Sequence, residues 1–285
     1  MPKLKSVLLG TMPLLLMILT ALGGWQLWKG GNVLLWSGLI ISAMPGLIFM
    51  LWTIVLKRMS RSAYFAMMTV FISLTGTLIT TECIISEGSF EDSSSILALA
   101  LAVLAGLIHI AYFGWATKLD RVHSELIQKG KTLPGFELHD AYGTITSDAF
   151  LGKPTILIFY RGNWCPFCMA QIQEVAREYR ELVNSGVNFA LISPQPEKIT
   201  QKLALRFNIP FMFLVDKGNK AIKMLGIEHL QGLPTGMTMQ GYSEDTVFPT
   251  VIVTDENGII VYCDQTTNFT IRPKPSEYLE PLMAS

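Results

Sequence analysis

Charge is scarce in this sequence of 285 residues: Asp, Glu, Lys and Arg make up 15% of it, against 50% hydrophobic residues. The charges also cancel, with 22 basic and 22 acidic side chains. A chain with no basic excess lacks the electrostatic footprint of a nucleic-acid binder, so no nucleic-acid partner is expected. Cysteine is sparse, with Cys83, Cys165, Cys168 and Cys263 only. One close pair and two isolated residues do not make the framework of a small disulfide-stapled domain. No His-x₃₋₅-His follows the pair, which leaves a tetrahedral metal site without its second half. No metal and no other cofactor is expected.

What the chain does have is long apolar runs, nearly all before residue 118. Residues 6–28, 33–56, 63–85 and 95–117 each meet the requirement of roughly 20 mostly apolar residues for a membrane-spanning helix. None contains Lys, Arg or Asp, and the one acid, Glu82, lies near an end. Trp25, Trp28, Trp52 and Trp115 sit near run ends, where amphipathic rings prefer the membrane interface. The first run also fits a signal peptide after its basic Pro2–Lys5 start, although it is long for one. Lys3 and Lys5, Lys57, Arg58 and Arg61, and Lys118, Arg121, Lys129 and Lys131 flank one side. The other side has Lys29 and the acids Glu87, Glu91 and Asp92. The positive-inside rule then predicts an integral protein of a bacterial-type inner or plasma membrane, with both termini cytoplasmic. Small residues recur at four-residue spacing in Gly38, Ser42 and Gly46 and in Ala98, Ala102 and Gly106, where helix backbones can approach. His109 falls on the second of these faces. It reads either as a functional ionisable group or as a neutral imidazole bonded across helices. Pro45 predicts a kink in the second helix. The expected organisation is a four-helix transmembrane domain over 1–117, a charged juxtamembrane linker over 118–132 that continues as helix, and a second domain over 133–285.

That second domain carries regular signals. Residues 136–147 alternate around Tyr142-Gly143 and predict a hairpin. Residues 155–160, TILIFY, predict a strand buried on both faces. From Pro166 the pattern turns helical, with Met169, Ile172, Val175 and Ala176 opening a stripe that runs to Val183 and stops at Gly186. A strand over 187–193, a helix over 197–207, a strand over 211–216 and a short helix near 219–225 follow. Residues 246–264 read as two antiparallel strands around Asp255–Gly258, and 275–283 as a closing helix. This order is the thioredoxin topology, an α/β fold, with Cys165-Pro166-Phe167-Cys168 opening its first main helix.

The spacing serves redox chemistry. One helical turn brings the sulfurs within disulfide range, and the positive helix end favours a thiolate. Pro166 at the first helical position needs no amide partner. Cys165 is expected to be the exposed nucleophile and Cys168 the resolving thiol, with Arg161 available to favour the anion. Cys83 and Cys263 read as plain buried thiols.

The stretch from Lys131 to Val175, with Arg161-Gly-Asn-Trp164-Cys165-Pro166-Phe-Cys168, resembles the redoxin family. This family comprises alkyl hydroperoxide reductase and thiol-specific antioxidant proteins of the thioredoxin superfamily, and the likeness covers about residues 130–285. It is nearest a peroxiredoxin-like branch with R-G-x-W-C-P-x-C. The resemblance places Cys168 at the peroxidatic position, Cys165 where that family has Thr, and Gln171 where it has Glu. Pro249 resembles the cis-proline that thioredoxins set against their cysteines, and Phe159 stands where they keep a buried Asp. The cysteine pair and the proline favour membrane-tethered thiol–disulfide exchange by Cys165 and Cys168, supported by Arg161, Trp164, Pro166 and Pro249, while the redoxin-like surroundings favour a peroxidase. The alternatives are a thiol peroxidase acting on hydrogen peroxide or organic hydroperoxides, and a non-catalytic membrane redox sensor or assembly factor. Implied partners are a thiol protein or small thiol as electron donor, a peroxide or protein disulfide as substrate, and the lipid bilayer.

Overall fold

The computed structural model describes residues 2–56, 63–182, 186–207 and 209–283. It separates into two compact units that meet in sequence at Lys118 and Leu119. Lys57, Arg58 and Arg61 of the predicted basic loop, and Val183 of the predicted stripe, lie outside the described residues.

The first unit is four helices: α1 Pro2–Trp28, α2 Val33–Val55, α3 Ala63–Glu87 and α4 Ser93–Ala111, the last extended by a wider π-type turn, Tyr112–Ala116. Each is long and apolar enough to cross a membrane. Asn32 and Asp92 begin α2 and α4 by accepting the amides of Leu35 and Ser95, the usual remedy for unpaired first-turn N–H groups. Leu14, Met17, Phe71, Leu78 and Leu107 face outward, as lipid-facing residues would. Inward lie the small residues. A Cβ on Gly76 of α3 would stand 2.4 Å from the Ser42 amide and 2.6 Å from the Gly38 carbonyl, so α2 and α3 touch backbone to backbone. Ser42 Oγ donates to Ala102 O at 2.9 Å and Ser73 Oγ to Ser42 O at 2.7 Å, which ties three helices by side-chain bonds. α2 runs through Pro45 as one helix. His109 is fully buried, as its face predicts. Its Nδ1 lies 2.7 Å from Ala105 O of its own helix rather than bonding across helices, because Gly46 leaves only space, not an acceptor, opposite Nε2.

The second unit holds a sheet of seven strands among the described residues, in the order β2-β1-β5-β4-β3-β8-β9. The hairpin is β1 Glu137–His139 with β2 Thr144–Thr146. β3 Thr155–Phe159, β4 Asn188–Ser193 and β5 Met212–Val215 run parallel. β8 Thr250–Thr254 and β9 Ile260–Asp264 continue the sheet antiparallel from β3. The helices are α5 Pro166–Leu182, α6 Glu197–Phe207, α7 Lys220–Met224 and α8 Pro275–Met283. β3 is buried along its whole length, which is why its sequence shows no polar alternation. On one face Leu157 and Phe159 join Phe136, Leu138, Phe150, Ile192, Leu214, Ile252 and Ile260 in one core. Burying each large side chain contributes about 1.5–3 kcal/mol.

Two expectations are corrected. The predicted strand from 246 divides, because β7 Thr246–Val247 leaves the main sheet to pair with β6 Glu228–His229. The linker after residue 118 is not helical. Its backbone groups are taken by distant partners: Leu119 N donates to Thr267 O at 2.7 Å and Ser124 N to Gln265 Oε1 at 2.7 Å.

Candidate active site

β3 delivers the chain to the end of the sheet at Phe159, and seven residues later α5 begins. The turn between them needs a glycine. Gly162 has φ +149°, and a Cβ there would stand 2.6 Å from Trp164 Nε1. Asn163 N donates to Gln195 Oε1 at 2.8 Å, and Gln195 Nε2 donates to Tyr160 Oη at 2.9 Å and Thr200 Oγ1 at 3.0 Å. Gln195, in the turn after β4, therefore clamps the loop that leads into the cysteines. Cys165 N donates to Gly162 O, and Met169 N donates to Cys165 O as the first bond of α5. Pro166, next in line, has no amide to leave unpaired.

Both sulfurs are thiols here and both are buried: Cys165 is 2% exposed and Cys168 0%. This corrects the expectation of an exposed Cys165. The loop between β9 and α8 lies against the motif. Phe269 packs its ring 5.6 Å from that of Phe167, inside the motif. Arg161 is buried as well, its guanidinium 4.6 Å from the Trp164 ring and 5.2 Å from that of Phe269, and it donates to Gly232 O.

The electrostatics give the two thiols different roles. Burial pushes the Cys165 thiol well up, and its proton is shared in a hydrogen bond toward Cys168. Burial opposes ionisation of Cys168 too. There it is outweighed by the Cys165 hydrogen bond, the Arg272 cation, the Arg161 backbone N–H and the Arg161 cation, which bring Cys168 down to about 6. The pair thus loses its first proton near neutrality, with the charge settled on Cys168. Cys168 is the inner residue, which sequence reasoning had treated as the resolving thiol. The same negative charge, after burial, raises the Tyr160 phenol.

A pH titration of the reduced protein should show this directly. Thiolate absorbance in the ultraviolet should rise with a midpoint near 6 and reach its plateau by about one unit higher. The sign for stability follows. A depressed thiol pKa stabilises the reduced fold fully above the ordinary value of 9.0, and this gain is lost as pH falls through about 6.

Of the other predicted residues, Trp164 is half-buried beside Arg161, and Pro249 is buried one residue before β8, across from the end of β3. The cis form expected for Pro249 is not adopted, since no cis peptide bond occurs among the described residues. Its segment is held otherwise: Phe248 N donates to Ile227 O, and the Pro249 carbonyl accepts from Arg121 Nη1 at 3.0 Å. Cys263 is partly exposed on β9, and burial raises its thiol to about 12.

Sequence reasoning missed Arg272, Phe269, Gln195 and Arg121. Arg272 is 2% exposed and lies 104 positions after Cys168 in a polar loop. Its charge acts on Cys168.

A model of the AhpC/TSA family matches residues 129–263. This part of the chain is similar to the redoxins. Among curated proteins, peroxiredoxin Q of Triticum aestivum is 31% identical over 102 residues, 35% of this chain and 47% of its own length. The thiol-disulfide oxidoreductase ResA of Halalkalibacterium halodurans is 28% identical over 152 residues, 53% of this chain and 80% of its own. The chain spans about half the length of the peroxiredoxin Q proteins it matches. Among solved structures, reduced Prx3 from Vibrio vulnificus in complex with H2O2 has a TM-score of 0.46 at 19% identity, covering 55% of this chain and 98% of its own.

Proposed function

We propose that the chain is a membrane-tethered thiol–disulfide oxidoreductase that cycles between the Cys165–Cys168 dithiol and its disulfide. The observation that carries this reading is a pair of thiols one helical turn apart, one donating its hydrogen bond to the other, with an anion favoured near neutral pH. Thiolate is the reactive form in exchange. In the reaction, a thiolate of the pair attacks a substrate disulfide, and the leaving sulfur departs as thiolate. The second thiol, after losing its proton, then attacks the mixed disulfide. Two electrons pass to the substrate, which leaves as two thiols, and the pair ends as a disulfide. A thiol protein or small thiol restores the dithiol.

A specific observation favours a second reading, a thiol peroxidase. The anion is favoured on Cys168, which the resemblance places at the peroxidatic position, and this residue is fully buried, within reach of a small peroxide more readily than of a protein disulfide. There Cys168 attacks a peroxide oxygen, becomes sulfenic acid and releases an alcohol or water. Cys165 then attacks that sulfur, expelling water and closing the disulfide. The arginines beside the sulfurs suit the charge that develops in either course.

The tether is the four apolar helices, in a bacterial-type inner membrane. The Lys and Arg flanks support a cytoplasmic redoxin domain, although Arg121 is half-buried and bonded within that domain rather than free to meet lipid headgroups. An impermeant thiol reagent applied to intact cells should therefore spare the pair. Labelling from outside would reverse the orientation.

The activity test uses the full chain in detergent, with NADPH, thioredoxin and thioredoxin reductase. Insulin reduction without peroxide-dependent NADPH consumption supports the oxidoreductase. Peroxide-dependent consumption without insulin reduction replaces it with the peroxidase, and neither activity overturns both.

A further inference from the structure

The loop beside the dithiol is fastened to the segment that follows Lys118. Residues 265–272 connect β9 to α8, and they are internally stiffened: Thr266 Oγ1 donates to Asn268 O at 2.9 Å, and Asn268 Oδ1 accepts from the amide and hydroxyl of Thr270. Phe269 and Arg272 on this loop are the residues set against Phe167 and the sulfurs. The fastening comes from residues 119–124, the first residues after Lys118, where the other compact unit ends. Leu119 N donates to Thr267 O. Ser124 N donates to Gln265 Oε1, and Gln265 Nε2 donates back to Ser124 O at 2.9 Å. Arg121 lies at the centre. Its Nη1 donates to Pro249 O at 3.0 Å and Thr266 O at 3.3 Å, and its Nη2 to Thr250 Oγ1 and Gln265 Oε1, both at 3.2 Å.

We propose that Arg121 is a positioning residue that latches the 265–272 loop closed over the Cys165–Cys168 pair, so that access of a protein disulfide to the pair requires release of the 119–124 strap. The inference rests on the reading of the pair as a redox centre, and it adds what controls its substrates. With the latch closed, a disulfide carried on a protein surface does not reach sulfurs that are 2% and 0% exposed. A small peroxide does not need the same opening. Only a planar, forked cation bridges this set of acceptors. A lysine ammonium brings the same charge to one point and leaves the others unmet. Because the strap begins where the apolar helices end in sequence, an event at the end of α4 has a direct covalent route to the latch.

The test reads accessibility rather than turnover. The reduced full chain in detergent is alkylated with iodoacetamide and, separately, with a polyethylene-glycol maleimide, and labelling is mapped to Cys165 and Cys168 by mass spectrometry. Arg121→Ala is expected to raise the rate with the bulky reagent at least about tenfold, and the rate with iodoacetamide far less, since losing charged hydrogen bonds frees a local segment. Arg121→Lys should remain fast with the bulky reagent. Gln265→Ala, which removes the loop's own side-chain acceptor, should behave like Arg121→Ala and carries the decision if that variant fails to melt cooperatively. A bulky-reagent rate equal to wild type in cooperatively melting Arg121→Ala and Gln265→Ala overturns the latch. So does a wild-type rate in Arg121→Lys, which would make charge alone sufficient. If the protein turns over neither peroxide nor insulin, the labelling contrast still decides the latch, and the functional reading fails separately.

Discussion

Cys168→Ser is expected to lower the iodoacetamide reactivity of the reduced pair at about neutral pH by about a hundredfold, and to remove every redox activity of the chain. The magnitude follows from ionisation. At about pH 7 a thiol at about 6 is roughly nine-tenths thiolate, whereas one at or above the ordinary 9.0 is about one-hundredth thiolate or less. With Cys168 gone, Cys165 is left buried and pushed up, so the anion has no holder. Cys165→Ala does less. It removes one hydrogen-bond donor, but the Arg272 cation, the Arg161 amide and the Arg161 guanidinium still act on Cys168. A fall of no more than about tenfold in alkylation, with a raised midpoint, is expected. That variant should also accumulate sulfenic acid if peroxide is a substrate, because no second sulfur closes the disulfide. The measurement is residue-mapped alkylation across a pH series. Equal losses in the two variants, or the larger loss at Cys165, would return the nucleophile to the outer position.

That contrast marks where the sequence was readable and where it was not. The elements of the C-terminal unit were legible because their signals are local. TILIF is a run of β-branched and aromatic residues without a polar break, and the strand ends at Phe159. Pro166 opens a helix, and Glu197–Phe207 is amphipathic from end to end. The two cysteines were legible for the same reason, being three positions apart at a strand-to-helix junction. Their polarity was not legible. It depends on Arg272, which reaches the sulfurs from a loop beyond β9, and on an amide direction at Arg161 that only the folded turn defines. The same holds for residues 118–132. Charged and extended by a helix before them, they read as more helix, but their backbone groups pair with residues more than a hundred positions later. Pro249 shows the converse hazard. A familiar residue in a familiar place suggested a cis bond, and the Arg121 bond to its carbonyl had no trace in the local pattern.

In the four-helix unit the decisive residue is Gly76, a lone glycine within an apolar run that the small-residue spacing did not single out. Gly76→Val is expected to destabilise the four-helix unit by at least about 3 kcal/mol, the upper part of the range for overpacking, because nothing around it gives way. The atoms it would meet are the Ser42 amide at 2.4 Å, the Gly38 carbonyl at 2.6 Å and the Ile41 carbonyl carbon at 2.9 Å, all backbone. α2 and α3 must move apart. That separation also stretches the Ser73-to-Ser42 and Ser42-to-Ala102 bonds, which are buried between the helices. Gly24→Ala in α1 is the matched control. It has open space within 4 Å, and by helix propensity alone alanine should leave the unit as stable or slightly more so. Unfolding of the full chain in mixed micelles by added SDS measures both. A Gly76→Val midpoint equal to that of Gly24→Ala would mean that α2 and α3 do not cross backbone to backbone at this point. The C-terminal unit, which has its own core around Leu157, Phe159 and Ile252, should keep its thiolate midpoint near 6 in both variants, since the groups that act most on Cys168 all lie after Lys118.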